Sequence, residues 1–198
     1  MNALYGLVLA GGRSSRMHED KAALTYRRRP QLELAFELLA PYVSRAWVSV
    51  REDQRSDPLR AAFPQIVDGP GAEGPIAGII AAQAAHPHAA WLVVACDLPL
   101  LDSTTLSELL AGRDTDRLAT AFRSASDGLP EPLCAVYEPA SREAILRFVA
   151  TGVCCPRKFL GRHDVALLAP ASPWALANTN TPEDLAAARQ ALAARESA

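Results

Sequence analysis

Long apolar runs are missing from this 198-residue chain. A membrane-spanning helix needs about 20 consecutive apolar residues, and no such run occurs. Met1–Ala10 also lacks the basic residues that open a signal peptide, so a soluble, cytoplasmic protein is expected, with no membrane partner. A cysteine framework is missing too. Cys96, Cys134, Cys154 and Cys155 form no C-x-x-C pair, and the adjacent Cys154 and Cys155 are too cramped for ordinary disulfide geometry. The histidines do not cluster; His86 and His88 flank Pro87 in a loop-like stretch, and zinc is set aside. Charge of one sign is not in excess: 20 basic residues face 22 acidic ones, evenly spread over both halves, which argues against nucleic acid as a partner. Internal repeats and low-complexity linkers are absent as well, and a single domain over 1–198 is expected.

What is present is enough apolar residue, 49%, for a full core, arranged as strand-like runs alternating with amphipathic helical ones. Strands are expected at Tyr5–Ala10, Ala46–Val50, Gln65–Val67, Trp91–Ala95, Leu118–Phe122, Leu133–Tyr137 and Val165–Leu168. Helices are expected at Gln31–Leu39, from Asp57-Pro58 to Phe63, from Gly74-Pro75 to Ala85, from Asp102 or Ser103 to Gly112, over Pro139–Ala150, and from Thr181-Pro182 to about Arg195. Trp91–Ala95 is the most hydrophobic run and is expected at the centre of the sheet. The alternation predicts an α/β protein with three layers and a mostly parallel sheet, the two successive strands of 118–137 supplying one antiparallel element.

Ligands of such sheets bind beyond the carboxyl ends of the strands, at a switch point in the strand order. The loop after the first strand, Leu9-Ala10-Gly11-Gly12 through Lys21, combines two glycines with the cations Arg13, Arg16 and Lys21. It fits neither the G-x-x-x-x-G-K nor the G-x-G-x-x-G pattern; a plain glycine turn with solvated arginines is the competing account. Only two of the 20 basic residues are lysines, Lys21 and Lys158, and a compact ammonium suits point-charge contact with phosphate. After the central strand comes Cys96-Asp97-Leu98-Pro99. A carboxylate there is a candidate Mg²⁺ ligand, since Asp102 and Ser103 are better placed to cap the next helix. Asp68 with Gly74-Pro75-Ile76-Ala77-Gly78 leaves room for a flat ligand or a ribose. Asn178-Thr179-Asn180-Thr181-Pro182 offers two carboxamides before a helix start, or simple N-cap chemistry by Asn180 or Thr181.

Taken together, L-A-G-G-x-S-x-R-M, the following D-K, C-D-x-P, G-P-I-A-G and N-T-N-T-P-E-D resemble the molybdenum cofactor guanylyltransferases of the nucleotidyltransferase superfamily, from Gly6 to the last helix. The resemblance implies a Rossmann-like fold of the nucleotide-diphospho-sugar transferase type. It implies that Leu9, Ala10, Gly11, Gly12, Asp68 and Gly78 line a nucleotide. Arg16 and Lys21 would neutralise phosphate, Asp97 would bind Mg²⁺, and Asn178 and Asn180 would hold molybdopterin. The implied reaction transfers GMP from GTP to the terminal phosphate of molybdenum-bound molybdopterin and releases pyrophosphate. Other cofactor-biosynthesis proteins or acceptor enzymes would be transient contacts. Two departures stand out: Ser49 takes the place of the family's Asn at the end of the second strand, and His18 that of a glycine after R-M. Two alternatives are a sister nucleotidyltransferase using CTP or another nucleotide on molybdopterin or on a sugar or alcohol phosphate, and a nucleotide-binding accessory protein without turnover.

Overall fold

The computed structural model describes residues 2–12 and 20–196. Strand β1, Leu4–Leu9, is buried over its last four residues. A small hairpin follows, β2 (Thr25–Tyr26) with β3 (Arg29–Pro30), and leads directly into helix α1, Gln31–Leu39. Then come β4 (Ala46–Val50), β5 (Gln65–Val67), α2 (Pro75–Ala85) and β6 (Ala90–Ala95). Helix α3 (Ser103–Ala111) precedes β7 (Ala119–Arg123) and β8 (Pro130–Tyr137). The chain closes with α4 (Ser141–Val149), the short α5 (Pro156–Leu160), β9 (Ala166–Leu168) and α6 (Pro182–Glu196).

Among the described residues the main sheet has seven strands, ordered β5-β4-β1-β6-β8-β7-β9. The central position of β6 matches its wholly buried sequence, which needs cover on both faces. β8 runs antiparallel to both β6 and β7, while the other pairs are parallel. It is the antiparallel element expected in 118–137. Side chains alternate between two cores, as strand geometry requires. On one face Val8, Val48, Leu92 and Val94 pack with Leu32, Ala35 and Leu39 of α1 and with Leu106 and Leu109 of α3. On the other Leu7, Trp91 and Val93 pack with Ile76 and Ile79 of α2, Ile145 of α4 and Phe159 of α5. A third, smaller cluster joins Leu24, Tyr26 and Leu100 to Ala188 and Leu192 of α6.

The expected elements recur within about three residues, and Asp102 does cap α3, its carboxylate accepting from Thr105 N at 2.9 Å. Three places differ. The expected helix from Asp57 is only a 3-10 turn, Arg60–Ala62. Helix α5 carries too few residues for a visible period; burial of Phe159 and Leu160 holds it. The β2–β3 hairpin turns on Arg27 and Arg28, with φ of 49° and 61°. Such a turn normally announces itself through Asn-Gly, and arginines carry no such signal.

Candidate functional site

The strand order reverses between β1 and β6, and there the carboxyl ends of β1, β4, β5 and β6 open into a cavity of about 530 Å³. Leu9, Ala10, Gly11 and Gly12 form one wall, Asp68 and Gly74 another, and Cys96-Asp97 with Lys21 the floor. The structure thus gathers at one place three of the chain stretches singled out above; Asn178 and Asn180 do not line the cavity themselves. Arg16 and His18 lie outside the described residues.

Asp97 sits just beyond β6. One carboxylate oxygen, Oδ2, lies 3.2 Å from Lys21 Nζ; the other, Oδ1, is buried without a hydrogen-bond partner. A buried carboxylate oxygen left unpaired is costly, and it is a hard donor of the kind Mg²⁺ prefers. Lys21 also donates to Asn180 Oδ1 at 2.5 Å, and Thr179 N donates to the Asp97 carbonyl at 2.9 Å. The stretch before α6 is therefore tied to the β6 loop by main chain and side chain together. Asn180 does not cap α6. Thr181 does so, accepting from Asp184 N at 3.1 Å, while Asp184 accepts from Asn180 N and Thr181 N. The Asn178 side-chain oxygen is buried without a partner on the same stretch.

At the other side of the cavity Ser49 Oγ donates to Asp68 Oδ1 at 2.7 Å. Burial pushes the Asp68 carboxyl above its ordinary range, against the pull of Ser49 and the Arg51 guanidinium. A Cβ on Gly11 would stand 3.2 Å from Asp68 Oδ2, so glycine keeps strand end and carboxylate together. Gly74 has φ +72° and ψ −159°, a conformation open to glycine, where the chain turns into α2. Gly78 is different from the expectation. It is absent from the cavity wall, and a Cβ there would collide with Ser49 Oγ and come within 2.8 Å of Leu9 Cδ2. It is glycine because α2 presses on β1 and β4, not to admit a ligand.

Two arginines escaped the sequence reading. Arg51 lines the cavity, donates to the Gly11 carbonyl and is paired with Asp53. Its place one residue past β4 was a usable signal. Arg60 is buried beneath the loop and bonds Ala10 and Asp20, with no periodicity to reveal it. Burial pushes the thiols of Cys96 and Cys134 up to about 12, so neither supplies a thiolate. His86 packs between Tyr5, Trp47 and Trp91, at the opposite ends of the strands.

Counted over the cavity wall, five carboxylates (Asp20, Glu52, Asp68, Glu73 and Asp97) face two cations, Lys21 and Arg51, among the described residues. A polyanionic ligand needs further positive charge to enter such a site.

Residues 6–167 match a family model described as the MobA-like NTP transferase domain. The chain is 37% identical over 181 residues to a molybdenum cofactor biosynthesis bifunctional protein of Synechocystis, covering 91% of itself and 52% of that protein. It therefore spans about half the length of that relative. It is 35% identical over 190 residues to a probable molybdenum cofactor guanylyltransferase of Trichormus variabilis, covering 94% and 90% of the two chains. Among solved structures, molybdopterin-guanine dinucleotide biosynthesis protein A from Archaeoglobus fulgidus superposes with a TM-score of 0.80 at 23% identity, over 96% and 98% of the two chains. That last likeness is one of fold.

Proposed function

The chain belongs to the MobA-like NTP transferase domain family, and from that premise we propose that it transfers GMP from GTP to the terminal phosphate of molybdopterin, with Mg²⁺, releasing pyrophosphate. The observation that carries the reading is Asp97: a half-paired carboxylate between β1 and β6, with Lys21 on one oxygen and nothing on the other. The surplus of carboxylates among the described wall residues supports a divalent ion beside the phosphates. Held by Asp97, Mg²⁺ would supply Lewis-acid charge neutralisation at the phosphates.

The chain's own residues do the rest. The backbone from Leu9 to Gly12 lines the nucleotide, and at Gly12 no described residue stands within 4 Å of where a Cβ would lie, which lets it approach closely. Asp68, fixed by Ser49, accepts from ribose hydroxyls or base N–H groups. Arg16 and Lys21 bind the phosphates. Asn178 and Asn180 orient the acceptor, whose phosphate oxygen attacks the α-phosphorus in line. That P–O bond forms as the bond to the β-phosphate breaks, and pyrophosphate carries the electron pair away. The nucleophile is already anionic, so no serine, cysteine or histidine has to activate it; positioning and charge neutralisation suffice.

The test is to incubate the protein with GTP, Mg²⁺ and molybdenum-bound molybdopterin and to follow pyrophosphate and the guanine dinucleotide by mass spectrometry. GTP with Mg²⁺ is expected to raise the melting temperature more than CTP, ATP or UTP. A larger shift with CTP would reassign the base. Nucleotide binding with no pyrophosphate release would leave an accessory protein.

A further inference from the structure

Arg60 is a cation enclosed in protein, with 2% of its side chain exposed, and the reaction above does not use it. All five of its N–H donors are committed. Nε and Nη2 reach the Ala10 carbonyl at 3.2 and 2.9 Å, and Nη1 and Nη2 hold the two Asp20 oxygens at 2.7 and 2.8 Å. The remaining Nη1 bond goes to Asp57 Oδ1 at 3.1 Å, and that same oxygen accepts from Arg60 N at 3.0 Å. None of its donors is left for a ligand.

We propose that Arg60 is a positioning residue of the nucleotide site: a clamp that ties Ala10 to Asp20 and thereby sets Lys21. The two ends have different consequences. Through Ala10 it orients the peptide that leads into Gly11 and Gly12. Through Asp20 it fixes a turn in which Ala22 N bonds Asp20 Oδ1 at 3.1 Å and Ala23 N bonds the Asp20 carbonyl at 2.9 Å. Lys21 lies inside that turn. Asp57 anchors the clamp from below, which explains why a proline-led turn stands after β4.

The chemistry favours this role over bulk stability. A buried ion pair gains little stability against an apolar replacement of the same volume, whereas its five directed bonds fix geometry. The planar fork satisfies a carboxylate and a carbonyl at once, which an ammonium cannot do. Fixing Ala10 and Asp20 before ligand arrives also removes an ordering cost from triphosphate binding. The inference rests on the nucleotidyl-transfer reading for its ligand, but its structural half does not.

Two variants test it, Arg60→Lys, which keeps the charge, and Asp20→Asn, which keeps the shape and touches a half-exposed partner. In each, the dissociation constant of GTP with Mg²⁺ is expected to rise about tenfold or more, while that of GMP changes by less than about threefold. Amide hydrogen exchange at 10–12 and 20–24 is expected to quicken, with the β6 amides unchanged. If Arg60→Lys does not fold, Asp20→Asn carries both measurements. Equal weakening of GTP and GMP, unchanged exchange at those amides, or full rescue by lysine overturns the clamp. Should the unaltered protein bind GTP but transfer nothing, the reaction reading fails, and the same two comparisons still judge Arg60.

Discussion

Lys21 Nζ and Asp97 Oδ2 stand 3.2 Å apart although 76 residues separate them in the chain. The pair joins the loop after β1 to the loop after β6 across the point where the strand order reverses. It also divides the work of one carboxylate, pairing Oδ2 and leaving Oδ1 open. On the reading proposed above, a triphosphate entering the cavity would draw Lys21 toward itself and release the Asp97 charge that Lys21 now balances to a divalent ion.

Asp97→Asn should keep the fold and lose the reaction. Asparagine is nearly isosteric, and a partly solvated ion pair contributes about 1 kcal/mol at most. Pyrophosphate release should fall on the order of a hundredfold or more, and the dependence on Mg²⁺ should flatten. A melting temperature that drops while activity per folded molecule survives would make Asp97 structural.

Lys21→Ala should weaken GTP more than GMP, because the proposed reading sets its ammonium against the outer phosphates. It also frees Asn180, whose side-chain oxygen it holds at 2.5 Å. The Michaelis constant of the acceptor should therefore rise in the same variant. Equal losses for GTP and GMP, measured by calorimetry, would remove Lys21 from the outer phosphates.

Asp20 predicts a pH dependence. Burial pushes its carboxyl up, but its bonds to Arg60 pull it further down, and the balance lies below the ordinary value. A group lowered in the folded state stabilises above its unfolded pKa, about 4 for aspartate, and loses that contribution as pH falls through the folded value. The gap in melting temperature between the unaltered protein and Asp20→Asn should be full at pH 6 to 7 and should close as pH drops below about 4. A gap that widens in acid contradicts the pairing.

Gly78→Ala should destabilise by about 1–3 kcal/mol, since its methyl group has no room beside Ser49 and Leu9. Adding Ser49→Ala removes the nearest atom and should restore part of the loss. Denaturant titrations of the two single variants and the double give the coupling directly. Additive losses would mean that α2 yields elsewhere.

Arg27 and Arg28 occupy left-handed backbone where Asn-Gly is at ease. Arg27→Asn with Arg28→Gly should therefore stabilise by about 1 kcal/mol, a rise of about 2–4 °C in melting temperature. A fall instead would show that the arginine side chains hold the hairpin against α6.

How far the fold and site could be read in advance follows from which forces write themselves locally. β6 declared its central place because burial on both faces excludes polar residues from it. α2 and α3 declared their starts through Gly74-Pro75 and Asp102, residues with a backbone role. The placing of Gly11, Asp68, Lys21 and Asp97 around one cavity was legible because strand ends in this architecture converge. Arg60 was not, for its partners Ala10 and Asp20 lie 50 and 40 residues away, and nothing near it has a period. Gly78 was misjudged for a related reason: a glycine demanded by a neighbouring helix and one demanded by a ligand look alike until the neighbour is in place. The hairpin and α5 are carried by tertiary burial alone.

The bond from Thr179 N to the Asp97 carbonyl gives the birth of the molecule a direction. A ribosome works from the amino end, so β1, β4, β5 and β6, with Asp68 and Asp97 at their tips, leave it within the first half of the chain. Asn178 and Asn180 follow some eighty residues later, a delay of several seconds at about 5–20 residues per second. Throughout that delay the nascent chain holds the cavity-lining ends of β1, β4, β5 and β6 and lacks the stretch that Thr179 ties to Asp97. On the reading proposed above, the seat of the second reactant is thus the last part of the cleft to be synthesised.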